Sequence, residues 1–136
     1  MKPEAPRVAV FLHDGRYDRV HQGLSIAASA VAVGRRADVF FFWWALERLA
    51  ADRLDEPDFG AGGEAIADRF EALRMPTLRQ LLAHLRESGL CTLYACSGSL
   101  NLLGATPASV EAKVDQIVGW TTILALTTGV SDRFYL

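Results

Sequence analysis

The chain alternates short, continuously apolar runs with longer amphipathic stretches, and no other feature of the sequence constrains its fold as much. Apolar runs of about six residues between Pro, Gly or polar residues are typical of strands buried on both faces. Such runs predict strands at 7–12, 37–42 and 90–95, with a terminal strand at 133–136. Strands separated by helical stretches predict an α/β fold: a mostly parallel sheet of four or five strands in a flavodoxin-like layering, with the first strand central and helices on both faces.

The helical stretches are marked by apolar spacing, by Pro near their starts and by Gly at their ends. In the first stretch, apolar residues recur at i, i+4, i+7, i+8 and i+11 ahead of Gly34, which suits the C′ position: Val20, Leu24, Ala27, Ala28 and Val31. Further helices are predicted at 44–54, at 64–73, from Pro76 at N1 to Gly89 at C′, and from Thr106-Pro107 through Ile117. The 120–128 segment is predicted to be a helix, with a strand as the alternative, and the Gly-rich 55–63 segment a mobile loop.

The length, net charge and apolar runs of the chain limit which kinds of protein it can be. A chain of 136 residues is expected to form one domain, 1–136. Its net charge of −2 and isoelectric point of about 5.9 argue against nucleic-acid binding. The densest apolar run, 39–46, is much shorter than the roughly 20 residues that a membrane-spanning helix needs. The first six residues have no apolar run and no small-residue cleavage site, so we predict no signal peptide and expect a cytoplasmic protein.

Two cysteines, Cys91 and Cys96, are too few for a disulfide framework, and the three histidines do not complete a zinc site with them. Along the predicted third strand their Cα atoms would lie roughly 16 Å apart, whereas a disulfide needs them within about 7 Å. We therefore expect no internal disulfide and no metal site. Cys91, at the start of the strand, is predicted to be a core residue.

Polar and aromatic residues follow the predicted strands at the edge where ligands of parallel sheets bind. They are His13 and Asp14 after the first strand, Trp43 and Trp44 after the second, and Cys96, Ser97, Gly98 and Ser99 after the third.

Cys96 has two interpretations. The backbone N–H groups of Ser97, Gly98 and Ser99 would stabilise a thiolate or persulfide anion if they point toward its sulfur. Alternatively, Cys96 is an inert buried residue, as free cysteines often are. His13 has a suitable pKa for proton transfer near the thiol, or it caps the loop.

The remaining edge residues also have two interpretations each. Asp14 is either a site residue or, with Gly15, part of a turn. Trp43 and Trp44 either contribute to the core or stand exposed as a pocket wall or subunit interface. The Ser97–Ser99 segment lacks the Lys and the glycine spacing of a P-loop, so phosphate binding has weak support there.

Four stretches of the sequence resemble the DsrE/DsrF-like superfamily of small sulfur-relay proteins, most of all its DsrE2-type branch. They are 38–46 (DVFFFWWAL), 74–78 (RMPTL), 93–104 (LYACSGSLNLLG), and 119–124 (GWTTIL) with the terminal Phe134-Tyr135-Leu136. The resemblance implies a parallel α/β fold, self-association into dimers, trimers or hexamers, and a cysteine, here Cys96, that carries sulfur as a persulfide.

The leading hypothesis is therefore a sulfur carrier, or sulfurtransferase-like protein, that passes sulfane sulfur from a donor to an acceptor, each a protein or a small thiol. Cys96 would be its catalytic residue, supported by Ser97, Gly98 and Ser99, with His13 or a neighbouring subunit assisting proton transfer. No cofactor is expected. The alternative is a non-catalytic oligomeric scaffold of the same fold, with a small molecule or nucleotide in the strand-end cleft.

Overall fold

The computed structural model describes residues 5–136 and shows one five-stranded sheet in which every pairing is parallel. The strand order is β4-β3-β2-β1-β5. The strands are β1 (Val8–Leu12), β2 (Ala37–Phe41), β3 (Cys91–Cys96), β4 (Gln116–Val118) and β5 (Asp132–Tyr135). The predicted α/β class and parallel sheet are confirmed, but β2 rather than β1 is the central strand.

Within the described residues, six α-helices connect the strands: α1 (Tyr17–Ala32), α2 (Trp43–Ala50), α3 (Glu64–Ala72), α4 (Leu78–Glu87), α5 (Ser97–Leu102) and α6 (Trp120–Leu126). The connections from β1 to β4 all step the same way across the sheet, so right-handed crossovers place their helices on one face. The return from β4 to β5 runs the opposite way and places α6 on the other face. None of these helices is long and apolar enough to cross a membrane.

The core has two parts, one on each face of the sheet. On the first face, alternate residues of β1, such as Val10, pack with α1, α2, α4 and Leu100 of α5. On the second face, Phe11, Phe40 and Cys96 pack with Ile123 of α6. We call these the first-face and second-face clusters.

Four aromatic rings cross the second face side by side because strand register aligns them. Phe11 pairs with Phe40 and with Tyr135, and Phe40 pairs with Tyr94. Neighbouring ring centroids lie 4.6, 5.1 and 4.7 Å apart from Tyr135 through Phe11 and Phe40 to Tyr94. Tyr135 at the β5 end is exposed.

Most predicted elements are present, with shifted ends. Gly34 and Gly89 follow α1 and α4 with φ of +80° and +70°, the left-handed conformation of a C′ glycine. The predicted N1 position of Pro76 is wrong: Thr77 is the N-cap of α4 and forms a capping box with Gln80, so Pro76 precedes the helix. Helix α6 forms over residues 120–126 of the 120–128 segment, so the helix prediction rather than the strand alternative is confirmed.

The predicted helix from Thr106-Pro107 through Ile117 is wrong. Only a 3₁₀ turn forms there, Pro107–Ser109, and the chain then enters β4. Val110 and Val114, whose i, i+4 spacing suggested a helix, are buried in an irregular segment. The pairing of β4 with β3 explains the difference, because β4 occupies the hydrogen-bonding edge that β3 would otherwise leave open.

Candidate functional site

The carboxyl ends of the strands meet at one edge of the sheet, as predicted, and a cleft of about 610 Å³ opens there. We call it the carboxyl-edge cleft. It is lined by His13, Asp14, Gly15, Arg16, Trp43, Trp44, Glu47, Arg48, Arg53 and Asp58. The predicted site residues thus form two groups, because Cys96, Ser97, Gly98 and Ser99 are not among the residues that line this cleft.

Cys96 is the last residue of β3 and the N-cap of α5. Its side chain belongs to the second-face cluster, and only 5% of the residue is exposed. The neighbouring Gly98 is exposed, and a Cβ at that position would lie 3.8 Å from the Cys96 sulfur. The backbone of the exposed Gly98 therefore lies beside the sulfur, at a position that carries no side chain.

Ser97, Gly98 and Ser99 form the first turn of α5, where backbone N–H groups have no acceptor within the helix. Ser97 also approaches the start of α6, because a Cβ on Gly119 would lie 3.4 Å from its hydroxyl oxygen. Ser99 is buried. The first turn of α5 thus lies beside the start of α6, and Gly98 is its exposed position.

Cys91 lies at the opposite end of β3 and has different chemistry. Burial raises the pKa of its thiol to about 12, and the carboxylates of Asp38 and Asp115 contribute to the rise. At neutral pH Cys91 is therefore a protonated thiol. It packs against the first-face cluster, and both cysteines are free.

His13 lies in the carboxyl-edge cleft with its ring stacked on Phe42, at a centroid distance of 4.6 Å. Burial lowers the pKa of the imidazole, so the neutral form predominates at pH 7. The backbone of His13 is held on both sides, since its N–H donates to Leu136 O at 2.7 Å and its carbonyl accepts from Ala45 N–H at 3.1 Å. The imidazole ring of His13 thus stacks on Phe42.

Asp14 forms a turn and an ion pair at the mouth of the cleft. Its carboxylate accepts from the backbone N–H of Arg16 at 2.8 Å and from the guanidinium at 2.6 Å. The side-chain hydrogen bond from Arg16 holds the pKa of Asp14 below its ordinary value. The aspartate is therefore ionised at neutral pH, and its charge is already paired.

Two tryptophans form the exposed wall of the cleft. Trp43 has a φ of +44°, a conformation that costs a bulky residue about 1–3 kcal/mol. Trp43 and Trp44 are 44% and 59% exposed, which fits the predicted exposure of rings at this strand end. Gly15 makes the close packing of this corner feasible, since a Cβ there would lie 2.5 Å from the Trp44 carbonyl oxygen.

Arg48 is a site residue that the sequence analysis missed. It is buried, with its guanidinium donating to the carbonyls of Gly15, Arg53 and Glu56 at 2.6, 2.8 and 3.2 Å. Its spacing of three residues from the buried Ala45 was the available signal, because that spacing puts Arg48 on the inner face of α2. An arginine in an amphipathic helix is nevertheless usually exposed.

Within residues 5–136 no cluster of three or more His, Cys, Asp or Glu side chains is arranged to hold a metal ion.

The fold has known counterparts among solved structures. The YchN protein of E. coli matches with a TM-score of 0.65 and 12% identity, over 97% of this chain and 100% of that one. A protein of unknown function from Methanobacterium thermoautotrophicum, MTH1491, matches with a TM-score of 0.60 and 16% identity, over 95% and 99%. The chain therefore shares the fold of these two proteins. No protein-family model and no curated protein matches the sequence.

Proposed function

We propose that the protein is a sulfur carrier of the DsrE/DsrF-like superfamily, in its DsrE2-type branch, and that Cys96 carries sulfane sulfur as a persulfide. The observation that supports this most is the position of Cys96 at the carboxyl end of β3, next to the exposed Gly98. The fold, which is that of YchN, is consistent with the proposal.

The transfer balances without an external oxidant. A donor persulfide, R–S–S⁻, is attacked by the Cys96 thiolate at its outer sulfur, the S–S bond of the donor breaks, and R–S⁻ leaves. The new S–S bond leaves Cys96–S–S⁻, whose charge the N–H groups of the first turn of α5 would stabilise. An acceptor thiolate then attacks the outer sulfur and restores the Cys96 thiolate.

The proposal is tested by loading the protein with polysulfide, removing the excess and adding cyanide. Cyanide takes the outer sulfur and releases thiocyanate and the thiolate. We expect one thiocyanate per chain from the parent and from Cys91→Ser, and none from Cys96→Ser. Equal release from Cys96→Ser would contradict the proposal, and Cys91→Ser is the matched control because it removes the other thiol of the chain.

The carboxyl-edge cleft favours a second candidate function, a binding protein for a planar ligand such as a nucleotide. Its volume of about 610 Å³ is in the range of small-molecule sites, and the exposed rings of Trp43 and Trp44 offer surfaces for base stacking. Calorimetric titration with AMP and ATP tests it. Binding that is lost in Trp43→Ala and kept in Cys96→Ser would support the second function over the first.

The proposed partners are a sulfur donor, a sulfur acceptor and further copies of the chain, in a cytoplasmic setting. Exposed apolar side chains at Trp120, Leu124 and Tyr135 support self-association, because each is 46–63% exposed on or beside the second face. Among residues 5–136, α6 is the one helix on that face, which leaves room for another subunit.

A further inference from the structure

Strand β5 lies at one edge of the sheet. Among the described residues it is last in the strand order and pairs with β1 only, so its outer side is open. Every residue of Asp132–Tyr135 is exposed. An open strand edge presents backbone N–H and C=O groups that can pair with a strand of another chain.

The backbone groups on the open side of β5 belong to Arg133 and Tyr135. On the inner side, the N–H of Leu136 donates to Phe11 O at 2.8 Å. Successive residues of a strand turn their N–H and C=O groups to opposite sides, so Phe134 also faces β1 through its backbone. The residues on either side of Phe134 therefore face outward.

The pairing of β5 with β1 sets the face on which each side chain lies. Phe134 is on the first face, where it lines a groove of about 480 Å³ together with Val33 and other residues of α1. Phe134 and Val33 are 38% and 74% exposed. Arg133 and Tyr135 are on the second face, and the Arg133 guanidinium donates to Thr127 O at 2.8 Å.

The residues of β5 are complementary to those of a second, antiparallel copy of the strand. In a pair centred on Phe134, Arg133 of each copy lies opposite Tyr135 of the other, and the two exchange their N–H···O bonds. A guanidinium opposite an aromatic ring is a favourable pair. The two Phe134 side chains meet on the first face at a non-hydrogen-bonded position, where side chains of opposite strands are closest. Asp132 lies opposite Leu136, so no like charges face each other.

Other antiparallel registers of β5 with itself are less favourable. A register centred on Arg133 places two guanidinium groups opposite each other, and like charges in that position are destabilising. A register centred on Tyr135 pairs the open backbone groups of one residue of each copy instead of two. The charges and the backbone hydrogen bonds therefore favour the same register, the one centred on Phe134.

We propose that two copies of the chain pair through β5 in this register, about a two-fold axis, and form one continuous sheet. Helix α1 packs on β1 and β2, so on the first face the added strand meets the groove beside Phe134. This interface is separate from the second-face surface around Leu124, and it does not involve Cys96.

The first test is a disulfide crosslink at the centre of the pair. In a chain with Cys91→Ser and Cys96→Ser, Phe134→Cys would bring two Cα atoms to about 4.5 Å, within the range of a disulfide. We expect diamide to join dilute chains into a covalent dimer on a non-reducing gel. Asp132→Cys, also exposed on β5, is the matched control. Its two Cα atoms would lie roughly 14 Å apart, so it should crosslink at least about tenfold more slowly.

The second test keeps both native cysteines and changes the charge at the centre of the pair. Phe134→Lys alone and Phe134→Glu alone each remove an aromatic pair and place like charges opposite each other. Each should weaken the β5 pairing at least about tenfold, measured by sedimentation over a concentration series. An equimolar mixture of the two variants places opposite charges at the centre and should pair more tightly than either variant alone.

Three results would overturn the proposal: equal crosslinking at the two cysteine positions, unchanged association of the charged variants, or no gain on mixing them. Loss of the crosslink when Leu124→Lys is added would also overturn it, because the contact would then belong to the second face. The crosslink is measured without Cys96, so a failure of the sulfur proposal leaves this one standing.

Discussion

Cys91 and Cys96 lie at the two ends of β3 and pack on different faces of the sheet. Burial, with a smaller contribution from two nearby carboxylates, raises the pKa of the Cys91 thiol and makes it a poor nucleophile at neutral pH. Cys96 ends the strand under the first turn of α5, with Gly98 exposed beside it. Gly98 is therefore a position at which an added Cβ would limit access to the sulfur.

Gly98→Ala should reduce that access. The added Cβ would lie 3.8 Å from the sulfur, an ordinary contact that shields the thiol without straining the backbone. In a Cys91→Ser background, alkylation of Cys96 by iodoacetamide should slow by up to about tenfold, or roughly 1.4 kcal/mol of activation free energy. Gly119→Ala, near Ser97 rather than the sulfur, is the control. An unchanged rate in Gly98→Ala would show that reagents reach the sulfur by another path.

Asp38 gives a pH-dependent prediction. Burial raises the pKa of its carboxyl, against the opposing charges of Arg7 and Arg36. The pKa of Asp38 is higher in the folded than in the unfolded chain, so the protonated carboxyl stabilises the fold. This stabilisation is fully present below the unfolded pKa of about 3.9 and is lost as the pH rises through the folded pKa. Asp38→Asn should therefore raise the urea midpoint at neutral pH relative to the parent, and the gain should shrink in acid.

Asp14→Asn is the control of opposite sign. Arg16 lowers the pKa of Asp14, so the ionised carboxylate stabilises the fold. This stabilisation is present above the unfolded pKa and is lost as the pH falls through the folded pKa. This variant should lower the midpoint at neutral pH. A parallel pH dependence in the two variants would contradict the assigned environments.

At the scale of elements, Arg48 joins the turn after β1 to α2 and to the loop that follows α2. Its buried guanidinium donates hydrogen bonds to three backbone carbonyls, and its Cζ lies 5.8 Å from the centroid of the Tyr17 ring. Polar backbone groups that lose such a partner in a buried setting destabilise the fold.

Arg48→Lys should lower the free energy of unfolding by about 1–3 kcal/mol, because one ammonium group does not reproduce the geometry of the guanidinium. Urea denaturation measures the change. Arg19→Lys, at an exposed position of α1, should change stability by less than about 0.5 kcal/mol. Equal effects of the two substitutions would contradict the connecting role of Arg48.

Elements whose residues carry their own pattern were predictable from the sequence. The continuous apolar runs of β1, β2 and β3 and the spacing in α1 and α4 needed no partner to be recognised. β4 was not predictable, because Gln116 is polar and the three-residue strand exists only by pairing with β3. For the candidate site, the ends of the predicted strands were enough to place Cys96 and His13 at one edge of the sheet. The burial of Cys96 was not predictable, because it depends on packing with α6, which the local sequence pattern does not encode.

At the scale of the whole molecule, the two faces of the sheet differ in cover. The first face packs with α1, α2, α4 and α5, whereas in the part of the chain that the structure describes α6 is the one helix on the second. Exposed Trp120, Leu124 and Tyr135 lie on or beside this thinly covered side. Apolar patches of this kind mark interaction surfaces.

Sedimentation should therefore give a mass that is a multiple of the 14.9 kDa chain. Leu124→Lys places a charge at a 63%-exposed position of α6 and should shift the protein toward the monomer without unfolding it. The exposed Leu102→Lys, on α5, is the control and should leave the mass unchanged. A parent protein that sediments as a monomer would contradict self-association.

Carriage of sulfur by Cys96 is tested most directly by the intact mass of the protein after incubation with a sulfane-sulfur donor. The parent and Cys91→Ser should gain about 32 Da per sulfur, reversed by a reductant, and Cys96→Ser should gain nothing. A folded parent without this gain, or an equal gain in Cys96→Ser, would contradict a sulfur carrier built on Cys96.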